Sequence, residues 1–458
     1  MSHFPVKIKF DSAKQKKPHA NPDPFVLRWK NEYFCYSSGE QGVYVLHSKD
    51  LMEFKEMGFA YENQEEHSFW APDVFYWKGM FYLYYSSLPI GETDDHLHFL
   101  RVAASKHPLG PFQPLAVLTD YFAIDPHVFS RNDHIYMLYA ANIYENQENG
   151  RIGTVLWMDE LSEPDKLSGK GHTVLIPTLD QEIFARNRFG DGKDWHTLEG
   201  PCYLSDGEES WILYSGNAYT SPDYFIGYAV GQNESDMCRT KFRKKPGGTI
   251  YQPLVSAKNH IEGTGHNSVT QAPDHITPLI VYHGRKPGES TDENGDDRKM
   301  YLDALWRKDS MLVTDAPSAE GVKEMPAPDC RYLEEKPFSE VVKSEDHYQV
   351  HRNFSIILPE GESIYMELCV RIPEGKVELW QPDGKKPLMV FQGDYWQHGG
   401  ILFSNGQAHC RYGEEWKKPF SCEKGTKLEI RVTGTVYMKY LDGTLLQDDG
   451  GAKPRCLL

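Results

Sequence analysis

The sequence predicts an all-β protein, a five-bladed β-propeller followed by a C-terminal antiparallel β-sandwich. Five copies of one strand–turn–strand pattern occupy residues 18–314, and beyond about residue 337 the pattern changes to alternating apolar runs separated by PDG, NG and DG turns. Repeats built from short strands are typical of propeller blades, because a single blade cannot bury its own two faces. We therefore expect a propeller domain at 18–314 and a jelly-roll-like sandwich at 337–458, joined by a Pro-, Ala- and Glu-rich linker.

The five copies align without a gap across their first strand. They are anchored on one apolar or thiol position, which is Val26, Val74, Val128, Cys202 and Val269. The position three residues earlier holds Asp23, Ala71, Asp125, Glu199 and His266. Equivalent positions at the start of innermost strands lie near one end of a propeller's central channel. The alignment therefore predicts a ring of three carboxyl groups, one imidazole and one methyl group.

This ring indicates an active site. Each ionised carboxylate makes ionisation of its neighbours more costly, so three carboxyl groups in one place are not expected for stability alone. Two carboxyl groups, one of them protonated, with a third that adjusts the pair, suit the hydrolysis of a glycosidic bond. Asp73 lies two residues past the ring position, and we expect it to point elsewhere and to have a structural role.

Composition excludes several other classes of protein. The net charge of −17 argues against nucleic-acid partners and against anionic membrane surfaces. No apolar run is long enough to span a bilayer. The eight cysteines show no CxxC spacing, so a zinc site is not expected. The first residues contain no apolar leader, so we expect a cytoplasmic location unless a leader has been removed. The oligomeric state is not predicted.

The motifs around the ring together resemble glycoside hydrolase family 43. They are NPDPFV, FWAPDV, IDPHVF, LEGP and GHNSV, and the resemblance covers about residues 18 to 312. It implies an inverting enzyme in which Asp23 is the general base that activates water. Glu199 would be the general acid that protonates the leaving oxygen, and Asp125 the residue that raises the pKa of that acid and orients it. The physics agrees, because an ionised neighbour disfavours the charged form of Glu199.

The same resemblance suggests the residues that bind a metal and a sugar. His266 matches an imidazole beside a calcium or sodium ion, with a hydrogen-bonded core histidine as the alternative. Water would have to fill most of a calcium shell of six to eight oxygens. Arg298 resembles an arginine that contacts the first sugar, with Arg285 as the competing candidate. Trp70 resembles the aromatic wall of that subsite, and its neighbour Phe69 is the alternative.

The function that we expect is an exo-acting α-L-arabinofuranosidase and/or β-D-xylosidase acting on plant cell-wall oligosaccharides. The long connection 177–197 before Glu199 is expected to shape one wall of a closed pocket. The alternatives are an arabinanase or galactanase of the same fold, a retaining β-fructosidase, and a non-catalytic sugar-binding propeller. The WMNDPNG-like start of the fructosidases is missing, and a non-catalytic propeller would not require all three acids.

Overall fold

The computed structural model confirms the all-β fold class. It describes residues 7–9, 20–29, 32–146, 148–273, 277–292, 295–308, 310–319, 325, 338–342, 347–357, 363–381, 384–404, 406–423, 425–441 and 444–445. Regular structure within these residues consists of β-strands and three short 3-10 turns, Asp95–Leu97, Asp180–Glu182 and Met237–Arg239. None of these turns has the length and apolar character of a membrane-spanning helix.

The chain divides into two compact units. The first contains Met1–Ser205, Glu209–Thr270 and Pro278–Met325, and the second contains Asp206–Glu208, Gln271–Thr277 and Pro326–Leu458. The predicted domain limits of 18–314 and 337–458 stay predictions. Most of the predicted linker, residues 320–324 and 326–336, lies outside the described residues.

The first unit is built from five antiparallel blades. Blade one contains Phe25–Trp29, Glu32–Ser37, Gly42–Ser48 and Glu53–Glu62, with Lys7–Lys9 pairing in parallel at its outer edge. Blade two contains Glu66–Trp77, Met80–Pro89, Phe99–Ser105 and Gln113–Val117. Blade five contains Glu262–Gln271, Pro278–Arg285, Lys299–Lys308 and Met311–Thr314. A two-stranded ribbon, Thr291–Asp292 with Gly295–Asp296, extends from blade five.

Blades three and four share a continuous sheet. Blade three contains Ala123–Arg131, His134–Ile143 and Ile152–Glu163, with Lys166–Leu167 and His172–Leu175 on its outer strand. Blade four contains Trp195–Ser205, Glu209–Gly216, Phe225–Gln232 and Arg243–Lys244, with Ile183–Ala185 beside its first strand. The two blades join where Ile152–Thr154 pair in parallel with Trp195–Thr197.

The core of this unit lies between adjacent blades. Buried side chains of blades two and three, such as Tyr84 and Met137, form one cluster, and Leu156 and Ile212 belong to the next, between blades three and four. A third cluster joins blades four and five. In each of these three pairs the blades bury faces against each other, which is the reason why the repeats occur together.

The second unit is an antiparallel β structure with its own apolar core. Its strands are Phe338–Val342, His347–Val350, Phe354–Ile357, Ser363–Trp380, Met389–Ser404, Gln407–Tyr412, Glu415–Trp416, Phe420–Ser421, Lys427–Leu441 and Thr444–Leu445. Buried residues such as Val370, Phe391 and Ile430 form the core.

Three strands of the second unit are longer than the sequence predicts. The apolar runs SIYMELCVRIP and KVELW, which the sequence predicts as two separate strands, form the single strand Ser363–Trp380, because Gly375 bends the chain instead of ending the strand. Gly375 and Gly434 face each other with positive φ. A Cβ on Gly375 would lie 1.9 Å from the Thr433 carbonyl oxygen, so only glycine permits this close approach.

Candidate active site

A β-bulge interrupts the innermost strand of a blade. In blade three Ile124 pairs with Ala140 and His127 pairs with Leu138. The first strand therefore has one residue more than its partner between these two pairs. Blades two and four have the same irregularity. The bulge residue with positive φ is Ala71 in blade two, Asp125 in blade three and Gly200 in blade four. Asp23 and His266, at the corresponding positions of blades one and five, also have positive φ. Bulges of this kind redirect a side chain, and they recur beside active sites.

The bulge in blade four corrects the predicted register. Glu199 pairs with Ser215 and Cys202 with Leu213, so the bulge residue is Gly200 and not Glu199. Glu199 is therefore equivalent to Ile124, the residue just before the bulge. The gapless alignment paired Cys202 with Val128, but the strand pairing makes Cys202 equivalent to His127. The alignment is therefore wrong by one residue in blade four.

Four of the amides at these positive-φ positions are hydrogen-bonded by side chains of the preceding blade. The acceptors belong to the ends of strands or to the acid ring itself. The Ala71 N–H donates to Ser38 Oγ at 2.8 Å, the Gly200 N–H to Asp125 Oδ2 at 2.9 Å, the His266 N–H to Ser215 Oγ at 2.7 Å and the Asp23 N–H to His283 Nδ1 at 3.1 Å. These bonds satisfy buried amides and stabilise a strained backbone in each of four blades.

Asp23 lies among cationic and polar groups. Its Oδ1 is 3.3 Å from His266 Nδ1 and 3.5 Å from Arg298 Nη1, and its Oδ2 accepts a 2.5 Å hydrogen bond from Ser38 Oγ. Burial alone would raise the pKa of Asp23, but His266 and Arg298 outweigh burial and hold that pKa well below its usual range. Asp23 is therefore ionised at neutral pH and can accept a proton.

Glu199 has the opposite surroundings. Burial, followed by the neighbouring Asp125 carboxylate, raises the pKa of Glu199 to about 8. The Tyr224 hydroxyl donates a 2.7 Å hydrogen bond to Glu199 Oε1 and opposes this rise, because it stabilises the carboxylate. Glu199 is therefore mainly protonated at neutral pH and can donate a proton.

Asp125 is close enough to affect the pKa of Glu199 and to be affected by the charge of Asp23. Its Oδ2 accepts the Gly200 N–H and is 3.8 Å from His266 Nδ1. Burial and the charge of Asp23 raise the pKa of Asp125, while His266 and the Gly200 amide lower it. The structure thus brings together all of the predicted ring residues, and Ala71 is joined to Asp23 through the Ser38 hydroxyl.

The two candidate arginines have different positions. Arg298 donates through Nε and Nη2 to the Asp296 carboxylate, at 2.6 Å for the shortest contact, and directs Nη1 toward Asp23. Arg285 is buried and donates to the backbone carbonyl oxygens of Tyr219 and Thr220. The structure therefore favours Arg298 as the sugar contact over Arg285.

The two candidate aromatic residues also differ. Trp70 is half-buried, precedes the bulge of blade two, and stacks on His98 with 3.6 Å between the ring centroids. Phe69 is fully buried and packs against Tyr61 and Tyr85. As a correction, Phe69 belongs to the core and does not form a wall of the pocket, because no part of its ring is exposed.

The metal site has little protein support in the described residues. No group of three or more His, Cys, Asp or Glu side chains in that part of the chain is arranged to hold an ion. His266 turns Nδ1 toward Asp23 and Asp125. Calcium prefers six to eight oxygen ligands, so these residues do not form a protein cage for it. An ion held mainly by water stays a prediction.

Several residues of the site were missed in the sequence, among them Ser38 of blade one, which bonds to Asp23. Of the others, Tyr224 and Ser215 lie in blade four and His283 in blade five. Burial lowers the pKa of His283 to about 4, so its imidazole is neutral and Nδ1 can accept the Asp23 N–H. A weak signal was present, because Ser215 and His283 each follow a tyrosine in the second strand of their blade. Asp73 lies apart from the acids, as expected, and bonds to His127 Nδ1 at 2.7 Å.

Comparison with known proteins agrees with this site. Residues 17–312 match the glycosyl hydrolases family 43. The chain belongs to this family. A solved structure described as a thermostable family-43 glycoside hydrolase is 29% identical, covers 67% of this chain and 96% of its own, and has a TM-score of 0.55.

More distant similarity extends to the second unit. A xylan beta-1,4-xylosidase from Bacillus halodurans C-125 is 14% identical with a TM-score of 0.51, and the match covers 93% of this chain and 98% of that one. At this identity the match shows the fold alone. Its coverage includes the C-terminal β-rich region as well as the propeller.

Two named relatives each match about half of the chain. An extracellular exo-alpha-(1->5)-L-arabinofuranosidase of Streptomyces avermitilis is 23% identical over 55% of this chain. An enzyme of the same name from Streptomyces chartreusis is 22% identical over 47% of this chain and 62% of its own length. The chain spans about half the length (51%) of the first of these relatives.

The expectation of a cytoplasmic location is wrong. Both Streptomyces relatives are named extracellular enzymes, which points to secretion. The expectation depended on the lack of an apolar leader. The lack of a leader is weak evidence for location, because a leader is removed from mature secreted proteins.

Proposed function

We propose that this protein is an exo-acting, inverting glycosidase that releases terminal α-L-arabinofuranose and/or β-D-xylose from plant cell-wall oligosaccharides. The observation that carries the proposal is the opposite protonation of two carboxyl groups in one cluster. The pKa of Glu199 is raised to about 8, and that of Asp23 is lowered well below its usual range. Glycoside hydrolysis by two carboxyl groups requires this combination, and in the inverting reaction the ionised group acts as the base.

Asp23 acts as the general base. Its carboxylate takes a proton from a water molecule as the water attacks the anomeric carbon. Arg298 and the Ser38 hydroxyl keep Asp23 ionised and oriented. For an inverting reaction the carboxyl groups of Asp23 and Glu199 should be roughly 6.5 to 9.5 Å apart, which leaves room for that water.

Glu199 acts as the general acid. It protonates the glycosidic oxygen as the bond to the leaving group breaks, and the Tyr224 hydroxyl then stabilises the carboxylate that forms. Asp125 keeps Glu199 protonated before the reaction through its nearby negative charge. Arg298 and Trp70 bind the sugar.

Activity on two substrates tests this function most directly. The protein should hydrolyse p-nitrophenyl α-L-arabinofuranoside or p-nitrophenyl β-D-xylopyranoside faster than it shortens linear arabinan. NMR of the first-formed sugar should show inversion at the anomeric carbon. Release of internal fragments from arabinan would replace exo action with endo action, and a retained anomer would exclude Asp23 as the base.

A further inference from the structure

One loop contacts both sides of the acid cluster. Residues 217–224 connect the second and third strands of blade four, and we call them the blade-four strap. At its end Tyr224 bonds to Glu199. Near its start, the ring of Tyr219 lies over the Arg298 guanidinium, with 4.8 Å from the ring centroid to Cζ. Because Arg298 contacts Asp23, the strap reaches both the acid and the base.

The strap is held by a buried cation. Arg285 is 3% exposed, and its Nη2 and Nη1 donate to the carbonyl oxygens of Thr220 and Tyr219 at 2.8 and 3.3 Å. The Gly263 N–H donates to the Pro222 carbonyl oxygen at 3.1 Å. A Cβ on Gly263, whose φ is +58°, would lie 2.1 Å from Arg285 Nη1, so glycine leaves the space that the guanidinium fills.

The side chain of Tyr219 is exposed, although Arg285 holds its backbone by hydrogen bonds. Its exposed fraction is 38%, and one face of the ring is occupied by Arg298. Burial raises the pKa of its hydroxyl, Arg298 lowers this pKa, and the charges of Asp23 and Glu199 add to the rise. A preorganised aromatic ring at the edge of a polar site is the kind of surface that a neutral ring-shaped ligand packs against.

The geometry points to Tyr219 as a specificity-determining residue that contacts the pentose being released, with Arg285 as its positioning residue. This inference rests on the proposed function. The contact is to the released sugar and not to the leaving group, because Tyr219 covers the arginine beside the base. In an inverting reaction the base lies on the face of the sugar opposite the leaving group.

Substitution of Tyr219 tests the sugar contact. The kcat/KM of Tyr219→Ala should fall about tenfold, mostly through KM, which corresponds to one aromatic contact. The factor should be the same for p-nitrophenyl and 4-methylumbelliferyl glycosides of one pentose, since the leaving group is not touched. Tyr219→Phe should retain most activity. Tyr251→Ala is the control, because Tyr251 is similarly exposed at 40% and its ring contacts Phe225.

Substitution of Arg285 tests the positioning role. Arg285→Gln should raise KM as Tyr219→Ala does, and Arg285→Lys should recover part of the loss because an ammonium can still donate to a strap carbonyl. The double variant Arg285→Gln/Tyr219→Ala should be little worse than either single variant, since both remove the same contact. Melting temperatures separate this effect from general destabilisation.

Each outcome of these substitution experiments decides a specific claim. If the wild type is active and Tyr219→Ala matches Tyr251→Ala, the inference fails and the proposed function stands. Multiplicative losses in the double variant would overturn the role of Arg285. A wild type that is inactive on both pentosides would overturn the proposed function and this inference together.

Discussion

Blades one and four open their first strand in related ways, yet their carboxyl groups titrate in opposite directions. Asp23 has positive φ just before the first strand of blade one, where Arg298 and His266 lie close to its carboxyl group. Glu199 lies one residue before the bulge of blade four, where burial and Asp125 dominate. The backbone brings the two groups to one site, and their neighbours decide which of them carries the proton. This difference is what general acid–base catalysis needs.

Removing either group should cause the largest loss. Asp23→Ala and Glu199→Ala should each lower kcat on natural glycosides by about 10² to 10⁴-fold. A dinitrophenolate departs without protonation, so Glu199→Ala should keep much more activity on a dinitrophenyl glycoside. Asp23→Ala should be poor on both substrates and be rescued by azide. If Asp23→Ala were instead the variant spared by the better leaving group, the two roles would be reversed.

Asp125→Asn should reduce the difference in pKa between Glu199 and Asp23. It removes the negative charge that, after burial, raises the pKa of Glu199. Activity requires protonated Glu199 and falls as pH rises through its pKa, so the alkaline limb of the pH profile should move to lower pH. The control is Asp73→Asn, a buried carboxyl group bonded to His127 outside the acid cluster. An unchanged alkaline limb in Asp125→Asn would separate Asp125 from the acid.

Tyr224→Phe should increase the difference in pKa between Glu199 and Asp23. The lost hydroxyl stabilises ionised Glu199, so its removal should raise the pKa of Glu199 and move the alkaline limb to higher pH. The shift should be smaller than that of Asp125→Asn and of opposite sign, and kcat should fall less than about tenfold, as for one hydrogen bond. Tyr228→Phe, whose hydroxyl contacts Met311 Sδ, is the control. A shift toward lower pH would contradict the hydrogen-bond assignment.

Of these changes, metal removal should have the smallest effect on the pKa values of Asp23 and Glu199. The hypothesis is a calcium or sodium ion beside His266 held mainly by water. If it assists catalysis, exhaustive chelation should lower activity and added calcium should restore it. Activity and melting temperature that both survive chelation would leave His266 as a hydrogen-bonded core residue.

Much of the fold could be predicted because short-range patterns carry it. The five repeats predict five blades, since each copy contains the alternation and turn residues of its own strands. The second unit shows the limit of such patterns. Gly375 and Gly434 look like turn signals, but facing each other they bend strands that continue.

The sequence by itself determined the all-β class, the repeat and the identity of the three acids. Only the tertiary structure decided that Gly200 and not Glu199 occupies the bulge, that Phe69 is core, and that Arg298 rather than Arg285 contacts Asp23. The physical reason is the distance along the chain between the residues that interact. Strand patterns depend on neighbours in the chain, whereas pKa values and side-chain contacts here depend on residues such as Asp23 and Arg298, which are 275 positions apart.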